Sequence, residues 1–446
     1  MRCVRGFSVH AALWMSALFM ALAAGAQPGP PEYFQEVANA VQRGVESVFL
    51  PEGEAVNYAG ASVEVERLYH AYADDADRFG VFAQVAPPWM AATGRLTLAQ
   101  EVWDAQGRAV SAPAAPADLE AVDALEAIVD ASRGRRVVML NEAHHVPMHR
   151  AFGRRIVKAL AAEGFTHLAV EGLANEAAPN FVNDTVASGR PTVTGGFYVR
   201  EPMFGELLRA AIDAGMTLVP YETTDRAPRA TPAESINARD AAQAKAISAV
   251  LEADPDARVL IFCGYSHLTE SPSMMGDDEL RWLACRLRDA LSIDPLTISQ
   301  TQYTPTSSPE HDAEAYGDLI NRFGPEDVIA LRDAAGALWS PMPGSFDIAV
   351  VHPRLQDAEG RPGYMLLGGE RMLATIPNAR LDGDERVFVQ AIPAGEDPAD
   401  AVPVDQRWIG PEDDATLALC PGAYLIRIYD SEATLMREEQ IVVGGE

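Results

Sequence analysis

Between residues 117 and 305, short unbroken apolar runs alternate with stretches whose apolar residues recur every three or four positions. The runs are "RRVVML", "THLAVEG", "MTLVPYE", "RVLIFCGYSH" and "PLTISQ". A strand with apolar side chains on both faces is covered on both sides, as in parallel sheets. The stretches "DLEAVDALEAIVDAS", "PMHRAFGRRIVKALAAEG", "PMFGELLRAAIDAG", "PAESINARDAAQAKAISAVLEAD" and "DDELRWLACRLRDALS" have helical spacing. Pro147 and Gly164 punctuate the start and end of the second. The pattern predicts an α/β domain over residues 117–345, mainly a parallel sheet flanked by helices.

The flanking regions follow other rhythms. Residues 27–116 form a mostly helical N-terminal segment, with helical spacing in "EYFQEVANAVQRGVESVF" and a Pro-punctuated linker in "SAPAAPADLE". Over residues 346–446 the helices stop. The runs "FDIAVV", "RVFVQAIPAG", "PVDQRWIG", "ATLALCPGAYLIRIYD" and "ATLMREEQIVV" are separated by Gly, Pro and Asp turns and predict a small antiparallel β-sandwich. "FDIAVV" fits the sandwich or the edge of the α/β sheet equally. At the other end, Arg2 and Arg5 precede the apolar run from Phe7 to Ala23, and Ala24-Gly25-Ala26 has the A-x-A form of a cleavage site. Residues 1–26 therefore read as a secretory signal peptide, and no second candidate span follows. The chain is expected to be exported, periplasmic or secreted, with no membrane span after signal cleavage.

Charge narrows the partners. The formal net charge is −29, and loss of Arg2 and Arg5 with the leader makes the mature chain more acidic still. Such a chain repels phosphate backbones and anionic lipid surfaces. That disfavours nucleic acid and leaves a small-molecule or peptide substrate. Cys263 and Cys285 are compatible with one bridge or with two buried thiols.

Candidate chemistry gathers at one address. In an open parallel sheet, ligands sit beyond the carboxyl ends of the strands. The first of these ends carries Glu142, His144 and His145, the next Glu171, the next Tyr221-Glu222, and the fourth Gly264-Tyr265-Ser266-His267. His149 falls in the first turn of the helix that follows the first strand. Ionisable groups against apolar strands need partners, and several at one rim suit general acid/base or metal chemistry. The spacing Asn141-x-x-His144 is echoed by Gly264-x-x-His267. Each residue also has a plainer role. His145 reads as solvated, His149 as a helix-start residue, Glu171 and Glu222 as ion-pair partners of arginines, and Arg239 and Asp240 as a solvated helix face. Tyr198, Arg200 and Tyr221 suit ligand orientation or packing. The chain has no H-E-x-x-H, no Walker loop, no G-x-S-x-G elbow and no dinucleotide fingerprint at the first strand.

Over residues 117–305, "VVMLNEAHHVPMHRAFGRRIVKALAAEGFTHLAVEG" resembles the opening of the haem-binding uptake/Tiki superfamily, which includes ChaN-like haem-binding proteins, TraB/Tiki proteases and erythromycin esterases. Glu142, His144, Pro147 and His149 fall on the G-E-x-H, proline, His pattern of the ChaN-like members, with Asn141 where glycine is usual. Glu171 matches the second-strand glutamate, and "INARDAAQAKAI" and "VLIFCGYSHL" resemble the later helix and the closing G-x-x-H. The resemblance implies a ChaN/erythromycin esterase-like core. It further implies a hydrolase in which a Glu/His cluster activates water on an ester, lactone or amide. Glu142, His144, Glu171, Glu222, Arg239 and His267 are then the catalytic candidates. Glu142, His144 and His267 form a candidate site for a divalent metal such as Mn, Co or Zn. The alternative is a non-catalytic haem or iron binding protein, with His144, His149 or Tyr265 on the cofactor.

Overall fold

The fold is that of a computed structural model, which describes residues 32–51, 55–107, 112–178, 180–225, 227–379 and 386–444. The leader expected over residues 1–26 lies outside them. In chain order the first ten strands are β1 (Glu120–Asp123), β2 (Val137–Glu142), β3 (His167–Val170), β4 (Thr217–Pro220), β5 (Val259–Gly264), β6 (Ser273–Met275), β7 (Asp278–Leu280), β8 (Leu296–Tyr303), β9 (Ile329–Arg332) and β10 (Ile348–Val351). Eight of them form the central sheet, in the order β1-β9-β10-β8-β2-β5-β3-β4. Neighbours from β10 to β4 are all parallel, and β9 runs antiparallel to β1 and β10.

Alternation along the strands sorts the core into two layers, because successive side chains point to opposite faces. Val138, Leu140, Leu168, Val170, Leu260 and Phe262 pack with Phe152, Ile156 and Leu160 of helix Pro147–Ala162 and with Phe204, Leu207 and Leu208 of helix Pro202–Asp213. Val137, Met139, Ala169, Val259, Ile261 and Cys263 face the other way, onto Ile247 and Leu251 of helix Pro232–Ala253 and Leu283 and Leu287 of helix Leu283–Leu291. The chain leaves β2 on the first face and leaves its neighbour β5 on the second. Adjacent strand ends whose exits part in this way frame a crevice at the carboxyl edge.

The N-terminal helices, from Glu32–Asn39 to Leu96–Asp104, extend the first layer, with Phe49, Trp89 and Phe197 in the same core. Beyond β10 the strands are antiparallel. Met372–Thr375 pairs with Thr416–Leu419, and a four-stranded sheet has the order Asp405–Ile409, Val387–Pro393, Gly422–Tyr429, Leu435–Val443. Leu417 and Leu419 of the small sheet share one core with Val389, Ala391, Ile426 and Ile428 of the larger. Among the described residues no helix is long and apolar enough to cross a membrane.

Three local readings are corrected. Residues 120–123 are strand β1, because the Asp123 side chain caps the helix by accepting from the Glu126 N–H at 2.8 Å, so the helix starts at Ala124. "DDEL" is not helical: β7 pairs with β6 in a hairpin, and the helix begins only at Leu283. "FDIAVV" supplies β10, inside the central sheet, so the sheet runs past residue 345. Cys263, Cys285 and Cys420 are free thiols.

Phe262 is the keystone of the first layer: a Cβ added at Gly153 would lie 2.8 Å from its ring and 3.0 Å from Leu207. Phe262→Ala should cost about 3–5 kcal/mol. In urea unfolding this reads as a lower midpoint at unchanged slope.

Candidate active site

The turn after β2 has no glycine, and its shape comes from side chains. Asn141 donates from Nδ2 to the Tyr265 carbonyl at 2.8 Å, and its Oδ1 accepts from the Gln300 N–H at 2.7 Å. Gln300 Nε2 returns a bond of 2.7 Å to the Asn141 carbonyl. One side chain thus binds β2 to β8 and to the turn after β5, where Tyr265 has φ +38°. The departure from glycine at residue 141 is therefore a brace between strands.

Glu142, at the end of β2, is buried and held by the guanidinium of Arg150. Arg150 donates from Nε to Oε2 at 2.6 Å and from Nη2 to Oε1 at 2.8 Å. Its Nη1 reaches Glu201 at 3.0 Å, and Glu201 in turn caps helix Pro202–Asp213 through the Met203 and Phe204 N–H groups. The charge of Arg150 keeps Glu142 ionised: burial opposes this, yet its affinity for protons falls below the usual carboxylate range. His144 Nδ1 lies 2.9 Å from Glu142 Oε1. An ionised carboxylate there places the imidazole proton on Nδ1 and leaves the Nε2 lone pair free to act as a base. The His144 ring stacks on Tyr198 at 4.1 Å and meets the edge of Tyr265 at 5.2 Å.

Arg239 organises the other half. It donates to Glu222 from Nε at 3.2 Å and from Nη2 at 2.7 Å, to Glu171 from Nη2 at 2.5 Å, and to His267 Nε2 from Nη1 at 3.1 Å. These four bonds leave one of its five N–H groups, on Nη1, unengaged. Gln243 adds a bond of 2.6 Å to Glu222. His267 Nδ1 sits 2.5 Å from Asp240 Oδ1, and its Nε2 lies 3.8 Å from Glu171 Oε1. Burial disfavours the imidazolium, but the Asp240 and Glu171 carboxylates outweigh it and raise the proton affinity of His267 above the ordinary histidine range. Arg239, followed by His267 and His144, holds Glu171 ionised against its burial.

The two halves meet over Gly264. Its N–H donates to Glu171 Oε2, and a Cβ built there would lie 2.5 Å from the His144 ring, at Cε1 and Nε2, and 3.1 Å from Glu171 Oε2. Only glycine lets β5 pass this close beneath the imidazole. Glu142, His144, Glu171, Glu222, Arg239 and His267 thus converge at one edge of the sheet.

Comparison with known proteins adds the following. No family model matches the chain, and no curated protein matches it. Solved structures similar to it include the type III effector HopBA1, at 14% identity over 55% of this chain and 98% of that one, with a TM-score of 0.29. Another is RRSP, a MARTX toxin effector domain from Vibrio vulnificus CMCP6, at 15% identity over 60% of this chain and 56% of that one, TM-score 0.29. A third, described as bacterial protein toxins, is 13% identical over 62% of this chain and 69% of that one, TM-score 0.32.

Several expected roles fall away on geometry. Glu142, His144 and His267 do not assemble as a metal ligand set, and among the described residues no group of three His, Cys, Asp or Glu is arranged to hold an ion. The reason is visible in the bonds: Arg150 occupies the carboxylate of Glu142, while Arg239 fills the space between Glu171, Glu222 and His267. His149 suits no cofactor. Its Nδ1 accepts from the Ala143 N–H at 3.0 Å and its Nε2 meets Thr304 Oγ1 at 2.8 Å, so both nitrogens are spent on the turn. Burial pushes the Tyr265 phenol well above its ordinary range, which disfavours a phenolate ligand to haem. His145 is buried against Trp103, at 4.2 Å between rings, and not solvated. Arg239 and Asp240 are buried too, so theirs is no solvated helix face. Arg200 lies beneath Phe49, Trp89 and Phe197, and Tyr221 bonds the Phe262 carbonyl at 3.3 Å, so both are structural.

Sequence reasoning missed Arg150 and Glu201, because neither sits at a strand end. The available signal for Arg150 was its address one residue beyond His149, in the first turn of a helix aimed at the rim.

Buried neutral imidazoles make stability depend on acid. Burial brings His145 and His352 down to about 3 from an ordinary 6.5, and His149 well below 6.5. Folded proton affinities below the unfolded ones mean that the unfolded chain binds more protons in this window. Stability should be full above about pH 6.5 and fall progressively toward pH 3. His267 acts in the opposite sense, as do Glu201, Glu270 and Asp347, whose carboxyls burial raises, so the histidine contribution is read as the difference between the protein and a variant that lacks two of the rings. Urea midpoints at pH 7.5, 6 and 4.5 should fall in that order, with a shallower slope in the His149→Gln/His352→Gln double variant.

Proposed function

We propose that this cleft hydrolyses an ester, lactone or amide, as a hydrolase-like member of the ChaN, Tiki and erythromycin esterase superfamily acting outside the cytoplasm. The observation that carries the reading is the pairing of two imidazoles with two buried carboxylates on either side of Glu171. His144 is bound to Glu142 at 2.9 Å and His267 to Asp240 at 2.5 Å. Two imidazoles each fixed by a carboxylate at one cleft are suited to serve as base and acid.

In this mechanism His144 Nε2 takes a proton from water as the water oxygen attacks the carbonyl carbon. Glu142, locked by Arg150, holds the Nδ1 proton and stabilises the imidazolium that forms. Glu171 adds a second negative charge beside that imidazolium. The unengaged N–H of Arg239 faces the charge that develops on the carbonyl oxygen. His267, whose proton affinity is raised by Asp240 and Glu171, enters the cycle as imidazolium and gives its Nε2 proton to the leaving group, and the proton gained by His144 passes to His267 through solvent when the products leave. Protonation of Nε2 breaks its bond from Arg239 and favours Glu171 Oε1, 3.8 Å away.

The test is turnover of a panel of esters, lactones and peptides by the purified protein, before and after chelation. Glu142→Gln and His144→Ala should each lower kcat by about 10²–10⁴ with the fold intact. Gly264→Ala should do the same by displacing the His144 ring. Turnover that survives His144→Ala, or a Soret band acquired from haemin and lost in that variant without any hydrolysis, would overturn the reading.

A further inference from the structure

The loop from Ala143 to Met148, which carries His144, is touched by aromatic rings from remote parts of the chain. Trp103, from helix Leu96–Asp104 of the N-terminal segment, stacks on His145. Tyr265, from the turn after β5, and Tyr364, from the segment that leads into the C-terminal sheets, pack on the apolar side chains of Ala143, Val146 and Met148. Tyr198, from the crossover between β3 and β4, lies flat on His144. The four residues are part-exposed, with the phenol groups of Tyr198, Tyr265 and Tyr364 turned inward, while the loop itself is buried. Aromatic rings bury large apolar areas, and a concave rim of them beside a few fixed polar groups is the usual make-up of a small-molecule subsite.

A second observation points to a ligand. His145 is 5% exposed, and its Nδ1 has no hydrogen-bond partner. A buried polar atom left unpaired costs free energy that a bound ligand atom or water recovers. The orphan nitrogen is on the residue next to the proposed base, against the Trp103 ring.

We infer that Trp103, His145, Tyr265 and Tyr364 form a specificity subsite for a flat apolar or aromatic group attached next to the scissile carbonyl, with His145 Nδ1 hydrogen-bonding a polar atom of the same substrate. This rests on the hydrolytic reading above. Tyr198 and Tyr265 flank His144, the first stacked on it at 4.1 Å and the second at right angles to it at 5.2 Å, so the proposed subsite adjoins the ring that carries Nε2. A charged acyl group gains nothing from this rim and must shed its hydration to enter.

Two measurements keep the subsite and the hydrolytic reading apart. The first is proton release from methyl phenylacetate and methyl acetate, each followed as kcat/KM. The wild type should prefer the phenylacetyl ester by about tenfold or more, from the added apolar area. Trp103→Ala and Tyr364→Ala should each shrink that ratio several-fold, while Trp103→Phe should retain most of it. The second is calorimetric binding of phenylacetamide and acetamide to the His144→Ala protein. Binding of phenylacetamide that is lost in Trp103→Ala, without any ester turnover in the wild type, upholds the subsite and sinks the hydrolase. Turnover with an unchanged ratio in both ring variants, or equal binding of the two amides, overturns the subsite.

Discussion

Charge buried at the carboxyl edge of the sheet is the constraint on which this molecule is built. Glu142, Glu201, Glu171, Glu222 and Asp240 are all 4% exposed or less, and the only guanidiniums bonded to them among the described residues are those of Arg150 and Arg239. Uncompensated buried carboxylates are costly, so the deficit must be met by protons. Its marks are visible. Burial raises the proton affinity of Glu201 although Arg150 opposes it. His267 is likewise raised by the carboxylates around it. The acids of the site outnumber its fixed cations.

The same bonds hold the fold. The planar fork of arginine presents five donors in a fixed plane, enough to hold one carboxylate by two bonds and reach a second, a geometry that the single nitrogen of lysine lacks. Arg239, from helix Pro232–Ala253, ties the residues after β3 and β4 to the turn after β5. Arg150 ties the end of β2 to the start of helix Pro202–Asp213. Removing one partner of such a pair leaves an unpaired charge in a dry interior, at a cost of about 3–5 kcal/mol. Rigidity at this edge is therefore a by-product of neutralisation, and it holds the His144 ring against Glu142.

Much of this was legible in the sequence for a physical reason. Strands with apolar residues on both faces can lie only inside a covered parallel sheet, and the carboxyl ends of such strands lie at one edge. Glu142, His144, Glu171, Glu222 and His267 could be grouped from that rule alone. What stayed hidden depended on partners remote in sequence. Asp123 caps the helix at its N-terminus and so starts it late, which divides an apparent helix into β1 and a shorter helix. "FDIAVV" has the same apolar character wherever it pairs, and its place beside β8 is set by register with Ile298 and Ser299. Arg239 and Asp240 read as surface because they sit on a long polar helix. Burial came from the carboxylates they face. His149 matched a pattern in the chain yet serves the turn, since a motif gives the spacing of a ring and not the neighbours of its nitrogens.

The flanking regions then acquire a role that their composition did not suggest. The N-terminal helices and the C-terminal sheets are bonded to each other as well as to the core. Gln406 donates to the Ala92 carbonyl at 2.6 Å, Trp408 to Ser62 Oγ at 2.9 Å, and Arg386 to Glu66 at 2.6 Å. A Cβ at Gly94 would lie 2.5 Å from the Gln406 carbonyl oxygen, so the contact needs a residue without one. This clasp draws the segments that carry Trp103 and Tyr364 toward one loop. The sheet edge alone holds two imidazoles, the carboxylates bound to them and a guanidinium. The rings on the loop from Ala143 to Met148 are thus held from outside the sheet, Trp103 by the N-terminal helices and Tyr364 by the segment that leads into the C-terminal sheets.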